Sequence, residues 1–251
     1  MRPIRHTLQF AALLLCGFVS MALAQSPGPL NGQIFGSGNK ALVVVLHGDV
    51  SKGGPASYHY DIAKRIAQQN RGVTTFALVR PGYTGQGGQK SRGSNNGRRD
   101  HYTSRNNKLV AQTIQNLAKA TGNTKVIGIG HSGGAAQLGA IAGMYPGLMD
   151  SVILVSCPCN LTEWRSKRGK SPWRSSKSPH AFLKRVAPGT RILAVVGTRD
   201  TNTFPKLSQD YVAAAKRRGL PAAYVPVNGA SHGFNRLQRT VEQLAKKEIA
   251  N

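Results

Sequence analysis

The stretch Val126-Ile127-Gly128-Ile129-Gly130-His131-Ser132-Gly133-Gly134-Ala135-Ala136 constrains this chain more than any other. A β-branched run stops at a glycine, a serine follows, and small residues lead into a helical pattern. This is a G-x-S-x-G elbow between a strand and a helix. The serine of such a turn takes strained φ/ψ, and a Cβ two residues to either side would collide with it. Glycines at 130 and 134 remove those collisions and let the hydroxyl stand above a sheet.

Gly229-Ala230-Ser231-His232-Gly233 matches the same pattern and serves as a control. A nucleophilic serine in this context needs an acid and then a histidine later in the chain. After Ser231 the only histidine is its neighbour His232, with no acid between them. After Ser132 the order can be completed.

Short β-branched runs alternate with helical patterns, which predicts an α/β fold: a mostly parallel twisted sheet with helices on both faces, in a single domain. The expected strands are Ala41–Leu46, Thr74–Val79, Lys125–Ile129, Ser151–Val155, Arg191–Val196 and Ala222–Val227. Helices are expected near Tyr58–Gln69, Leu109–Ala120, Gly133–Tyr145, Lys206–Arg218 and Phe234–Ile249. Two connections are long, Arg80 to Arg105 and Cys157 to Lys184. Both follow strands, so both should overhang the carboxyl edge of the sheet, where open α/β sheets bind ligands. Residues 157–185 read as a lid or insertion.

A serine hydroxyl needs a base to accept its proton and an acid to orient that base. His180 lies inside the basic connection, whereas His232 follows the last strand at the catalytic edge and is the expected base. Asp150 precedes its strand, and Asp210, Glu242 and Glu248 fall within helices. Asp200 follows Arg191–Val196 at the correct end and is the expected acid, with Glu163 the fallback. An oxyanion would meet the backbone N–H of Gly133 and that of Asp49, in the turn Leu46-His47-Gly48-Asp49.

In this order, strand-His47-Gly48, Arg80–Tyr83, the His131-containing elbow, strand-Gly197-x-x-Asp200 and Gly229-x-x-His232, the chain resembles the α/β-hydrolase fold superfamily from about Lys40 to Ile249. It is similar to small exported esterases and to the prolyl-oligopeptidase-like and dienelactone-hydrolase-like groups. The resemblance implies a serine hydrolase of acyl bonds that needs no cofactor and acts on a small ester or peptide. A different class of reading is a non-catalytic relic of this fold that binds an anionic envelope ligand. The complete order Ser132, Asp200, His232 argues against it.

Arg2 and Arg5 precede an apolar run, Phe10 to Leu23, and Ala22-Leu23-Ala24 ahead of Gln25 reads as a cleavage site. The run is about 14 residues, against the roughly 20 needed to span a bilayer. We therefore expect a signal peptide over residues 1–24, a catalytic domain over 25–251, and a periplasmic or secreted protein. The 34 Lys and Arg against 9 acids give a formal charge of +25. With aromatics at 6% and no basic helix carrying interleaved stacking residues, no specific nucleic-acid site is expected. Electrostatic association with an anionic cell envelope, or simply a high-pI periplasmic proteome, would account for the charge without a specific partner. Within the second long connection, Arg165, Lys167, Arg168, Lys170 and Arg174 cluster beside Trp164 and Trp173. That grouping suggests substrate selection by charge and aromatic area, or simply a solvated loop. Cys157-Pro158-Cys159 leaves a local disulfide, free thiols and a redox or metal role open, although no second ligand pair has zinc spacing.

Overall fold

A computed structural model describes residues 28–251. The leader expected over residues 1–24 lies outside the described residues. Among the described residues seven strands form one sheet: β1 (Gly32–Phe35), β2 (Ala41–Leu46), β3 (Val73–Leu78), β4 (Val126–His131), β5 (Ser151–Val155), β6 (Arg191–Gly197) and β7 (Ala222–Val227). Their order is β1-β3-β2-β4-β5-β6-β7, with β1 antiparallel to β3 and every other pair parallel. Parallel strands need crossovers, and helices supply them: α1 (Tyr58–Gln69), α2 (Ser104–Thr121), α3 (Gly133–Met144), α6 (Pro205–Arg217) and α7 (Gln238–Ala250). The short helices α4 (Leu161–Ser166) and α5 (Pro179–Phe182) lie in the connection after β5.

The β2 sequence Ala-Leu-Val-Val-Val-Leu is buried throughout, as a strand covered on both faces must be. Leu42, Val44 and Leu46 pack with Val110 and Ile114 of α2, Leu138 of α3 and Tyr211 of α6. The alternate residues Ala41, Val43 and Val45 pack with Ile62 and Ile66 of α1 and Val241 of α7. Two apolar layers thus clamp the sheet, and the polar chemistry is left to its carboxyl edge.

The connection after β5 divides in two. Pro179 and Phe182 lie against α3, where a Cβ on Gly139 would come within 3.0 Å of Pro179 and one on Gly143 within 2.1 Å of the Phe182 carbonyl oxygen. Residues 161–173 instead reach over the sheet edge. Cys157 and Cys159 form a disulfide that is wholly buried. Among the described residues no helix is long and apolar enough to cross a membrane.

Candidate active site

Ser132 caps the end of β4 at φ 52 and ψ −115, a backbone conformation that L-residues avoid. The sequence permits it through its glycines. A Cβ on Gly130 would sit 2.6 Å from the Gly134 carbonyl, and one on Gly134 would sit 2.6 Å from the His47 oxygen. The turn is fastened by Ser132 N–H donating to Val155 O (2.8 Å) and Ala136 N–H donating to Ser132 O (3.0 Å). Ser231 is exposed and is not among the non-glycine residues with positive φ, so the second sequence match is not an elbow.

The three residues expected from sequence meet at the carboxyl edge. Ser132 Oγ lies 3.1 Å from His232 Nε2, and His232 Nδ1 lies 2.9 Å from Asp200 Oδ2. Asp200 is only 2% exposed. Its Oδ1 accepts from the N–H groups of Asn202 and Thr203 (both 2.9 Å), and its Oδ2 from the Thr203 hydroxyl (2.7 Å). Burial by itself would raise the Asp200 pKa. His232 and the Thr203 donors outweigh it and hold the carboxyl below the ordinary aspartate range.

The loops bearing acid and base are joined through backbone. Arg199 N–H donates to Ala230 O at 2.9 Å, and Thr198 N–H to Val227 O at 3.0 Å. Gly197 makes that approach feasible, because a Cβ there would fall 2.2 Å from the Ala230 oxygen. Glu163 is engaged elsewhere, with Lys167 at 3.4 Å, and His180 lies beside Tyr211. Neither joins the cluster.

Asp49 follows β2 and Gly133 opens α3. Among the described residues, neither backbone N–H donates to a protein acceptor, and Gly133 stands at a helix start where none is available within the helix. The Asp49 carboxylate is tied into a polar cluster. Its Oδ1 accepts from Arg80 Nη1 (2.8 Å) and the Tyr83 hydroxyl (3.0 Å), and its Oδ2 from the Tyr102 hydroxyl (2.9 Å). Burial would raise its pKa, but Arg80 and His101 overcome this and keep it ionised. The wholly buried Arg80 also donates to Gln137 Oε1 (2.6 Å) and to His47 O (3.2 Å), and lies against the rings of Tyr83 and Tyr102.

Sequence reasoning missed this cluster, and also a chain of hydrogen bonds through Tyr58 and His131. Gly48 N–H donates to the Tyr58 oxygen (2.6 Å), so the single Tyr58 hydrogen is left for His131 Nδ1 at 2.7 Å. The proton of His131 then belongs on Nε2, which faces His232 O at 2.9 Å. Burial, with His232 nearby, lowers the His131 pKa to about 4 and keeps the ring neutral. The available signal was a histidine inside the elbow and an arginine directly after an apolar strand, with no indication of their partners.

A cleft of about 800 Å³ opens over Ser132 and His232. Its walls come from both long connections: Arg98 and Arg99 on one side, Trp164, Arg165, Arg168, Lys170 and Trp173 on the other. Lys167 and Arg174 of the expected basic cluster do not line it.

A sequence model of the Alpha/beta hydrolase family matches residues 43–188, more than half of the chain. The chain belongs to that family. No curated protein sequence matches it. Similar solved structures include esterase PE8 (TM-score 0.63, 16% identity, covering 87% of this chain and 98% of that one). Est1E from Butyrivibrio proteoclasticus with bound ferulic acid is alike at TM-score 0.62 and 16% identity, covering 88% and 96%. A puromycin-hydrolyzing peptidase from Mycobacterium tuberculosis has TM-score 0.65 and 18% identity, covering 90% of this chain but 38% of the peptidase. Likeness at such identities speaks to the fold alone.

Proposed function

We propose that this protein is an exported serine hydrolase that cleaves a carboxylic ester through an acyl-enzyme on Ser132. The observation that carries the reading is the unbroken relay of Ser132 Oγ, His232 Nε2, His232 Nδ1 and Asp200 Oδ2, with links of 3.1 and 2.9 Å. In this reading Ser132 Oγ attacks the carbonyl carbon as its proton passes to His232 Nε2. Asp200 holds the ring in the required tautomer and stabilises the imidazolium. The N–H groups of Asp49 and Gly133 receive the oxyanion, a contribution of about 2.7–4 kcal/mol per donor in comparable sites. Collapse expels the alcohol, which takes the proton back from His232. A water then repeats the sequence on the acyl-enzyme and frees the acid.

A serine peptidase acting on short peptides is the alternative, and turnover of short-chain aryl esters against aminoacyl anilides separates the two. Export rests on the leader sequence and on the charge. The test is labelling with a fluorophosphonate, which needs an activated serine and nothing else. Wild-type protein and Ser231→Ala are expected to label and Ser132→Ala to stay unlabelled. Labelling retained in Ser132→Ala would reject the assignment.

A further inference from the structure

The cleft above Ser132 is walled by cations that lack anionic partners. Among the described residues, none of Arg98, Arg99, Arg165, Arg168 and Lys170 lies within ion-pair distance of a carboxylate. Lys167, in the same segment but outside the cleft, does have one, in Glu163 at 3.4 Å. Of the two acids in the cleft wall, Asp49 is neutralised by Arg80, and Asp100 accepts from Ser175 N–H (2.9 Å) and Ser176 N–H (2.7 Å). Asp100 thereby pins one long connection to the other. Five cations and two engaged acids leave the cleft wall with an excess of positive charge, which is complementary to an anion.

The cations are also held in place, Arg165 by donating from Nε to Ser171 O at 2.8 Å. Arg165 lies 5.1 Å from the Trp173 ring and Arg168 lies 5.5 Å from that of Trp164. The two indoles meet edge to face at 5.5 Å, and Trp164 Nε1 donates to Asn202 O at 2.8 Å in the acid-bearing loop. Across the cleft, Arg98 and Asp100 take positive φ (65 and 43), although neither is glycine. Backbone held in that region by its surroundings is characteristic of ligand clamps. Arg98 is further fixed by donating from Nη1 to Val50 O at 2.7 Å. Burial and the neighbouring Arg168 pull the Arg165 pKa below the ordinary arginine value, with Asp100 opposing.

Building on the serine-hydrolase reading, we infer that this cleft selects esters carrying a carboxylate beside a flat apolar group. The indoles supply the flat contact surface, and the arginines of the two connections receive the carboxylate. The charge sits on either the acyl or the alcohol half of the substrate, and two matched pairs of esters separate these cases. 4-Acetoxybenzoate against methyl 4-acetoxybenzoate places it on the alcohol side. 4-Nitrophenyl hydrogen succinate against 4-nitrophenyl butyrate places it on the acyl side.

With each kcat/KM divided by that ester's alkaline hydrolysis rate, the anionic member of one pair should be favoured about tenfold or more at low ionic strength, within the range that focused fields produce. The preference should shrink towards 1 M salt, where screening acts over about 3 Å. Arg98→Gln with Arg99→Gln, and separately Arg165→Gln with Arg168→Gln, should each lower the anionic-to-neutral ratio. Lys216→Gln with Arg217→Gln, on the exposed side of α6, should leave it unchanged. Two independent pairs guard against one of them failing to fold. Neutral esters turned over as well as both anionic partners, or ratios unmoved by both cleft pairs, would overturn this inference alone. Wild-type protein that hydrolyses none of the four esters and escapes a fluorophosphonate would overturn the hydrolase reading beneath it.

Discussion

The single hydrogen of the Tyr58 hydroxyl sets the state of its neighbours. Because the oxygen accepts from Gly48 N–H, the hydrogen must go to His131, whose other nitrogen then meets the backbone carbonyl of His232. Tyr58 and His131 thus tie the turn bearing Asp49 to the loop bearing the base. Tyr58→Phe removes the acceptor of Gly48 N–H and the donor to His131, and an unmet buried polar group costs about 1–3 kcal/mol. We expect kcat to fall about tenfold or more while the protein still labels with a fluorophosphonate. Unchanged kinetics would show that the chain does not position the base. Asp200→Asn should act more strongly, because an amide cannot hold the histidine in the same tautomer. A loss near 10⁴-fold in kcat at neutral pH is expected, and wild-type turnover would require another acid.

At the scale of elements, the glycines of the elbow are where sequence and geometry agree in detail. Gly134→Ala would push a methyl to within 2.6 Å of the His47 oxygen and 2.7 Å of the Leu46 oxygen, with backbone on both sides unable to yield. Urea unfolding should show a loss of about 1–3 kcal/mol or more, the usual range for overpacking, and labelling of Ser132 should weaken with it. Stability equal to wild type would mean that the turn tolerates a Cβ.

The strands β2, β5 and β7 match their expected spans residue for residue, because their runs end sharply at polar or turn residues, and the helix α1 lies where it is expected. The strand β1 gives little signal in the sequence: it has four residues, lies at the sheet edge and is partly exposed, so its pattern is weak. The helix α2 begins at Ser104, five residues earlier than expected. Its first turn is polar, yet Asn106 and Asn107 are buried and satisfied, Asn106 by donating to Ser94 O and His101 O at 2.7 Å. Ser132, Asp200 and His232 were legible because chain order and strand ends place them. Arg80, Tyr58 and Tyr102 were not, since a buried polar network depends on partners 31 to 73 residues away that no local pattern encodes.

Over the whole molecule, buried histidines tie stability to pH. Burial lowers the His131 pKa to about 4 and that of His59 to about 3, against 6.5 for a free histidine. Below pH 6.5 the unfolded chain therefore binds protons that the folded chain refuses. Folding stability is lost as pH falls, from 6.5 to about 4 for His131 and to about 3 for His59, at up to about 1.4 kcal/mol per pH unit for each. Asp49 and Asp200, also depressed, withdraw their contribution only below the ordinary aspartate value of 3.8, so the decline between pH 6.5 and 4 belongs to the histidines. Urea titrations should show falling stability across that window and a shallower slope in His59→Phe. A flat profile from pH 7 to 4.5 would contradict this.

Hydrolysis in this reading turns on one hydroxyl standing at the end of β4. Incubating the protein with a fluorophosphonate and mapping the adduct by peptide mass spectrometry tests it most directly. The expected result is a single phosphonylated residue, Ser132, absent from Ser132→Ala and strongly reduced in His232→Ala. An adduct at Ser231 or elsewhere, or an inert Ser132 in folded wild-type protein, would contradict it.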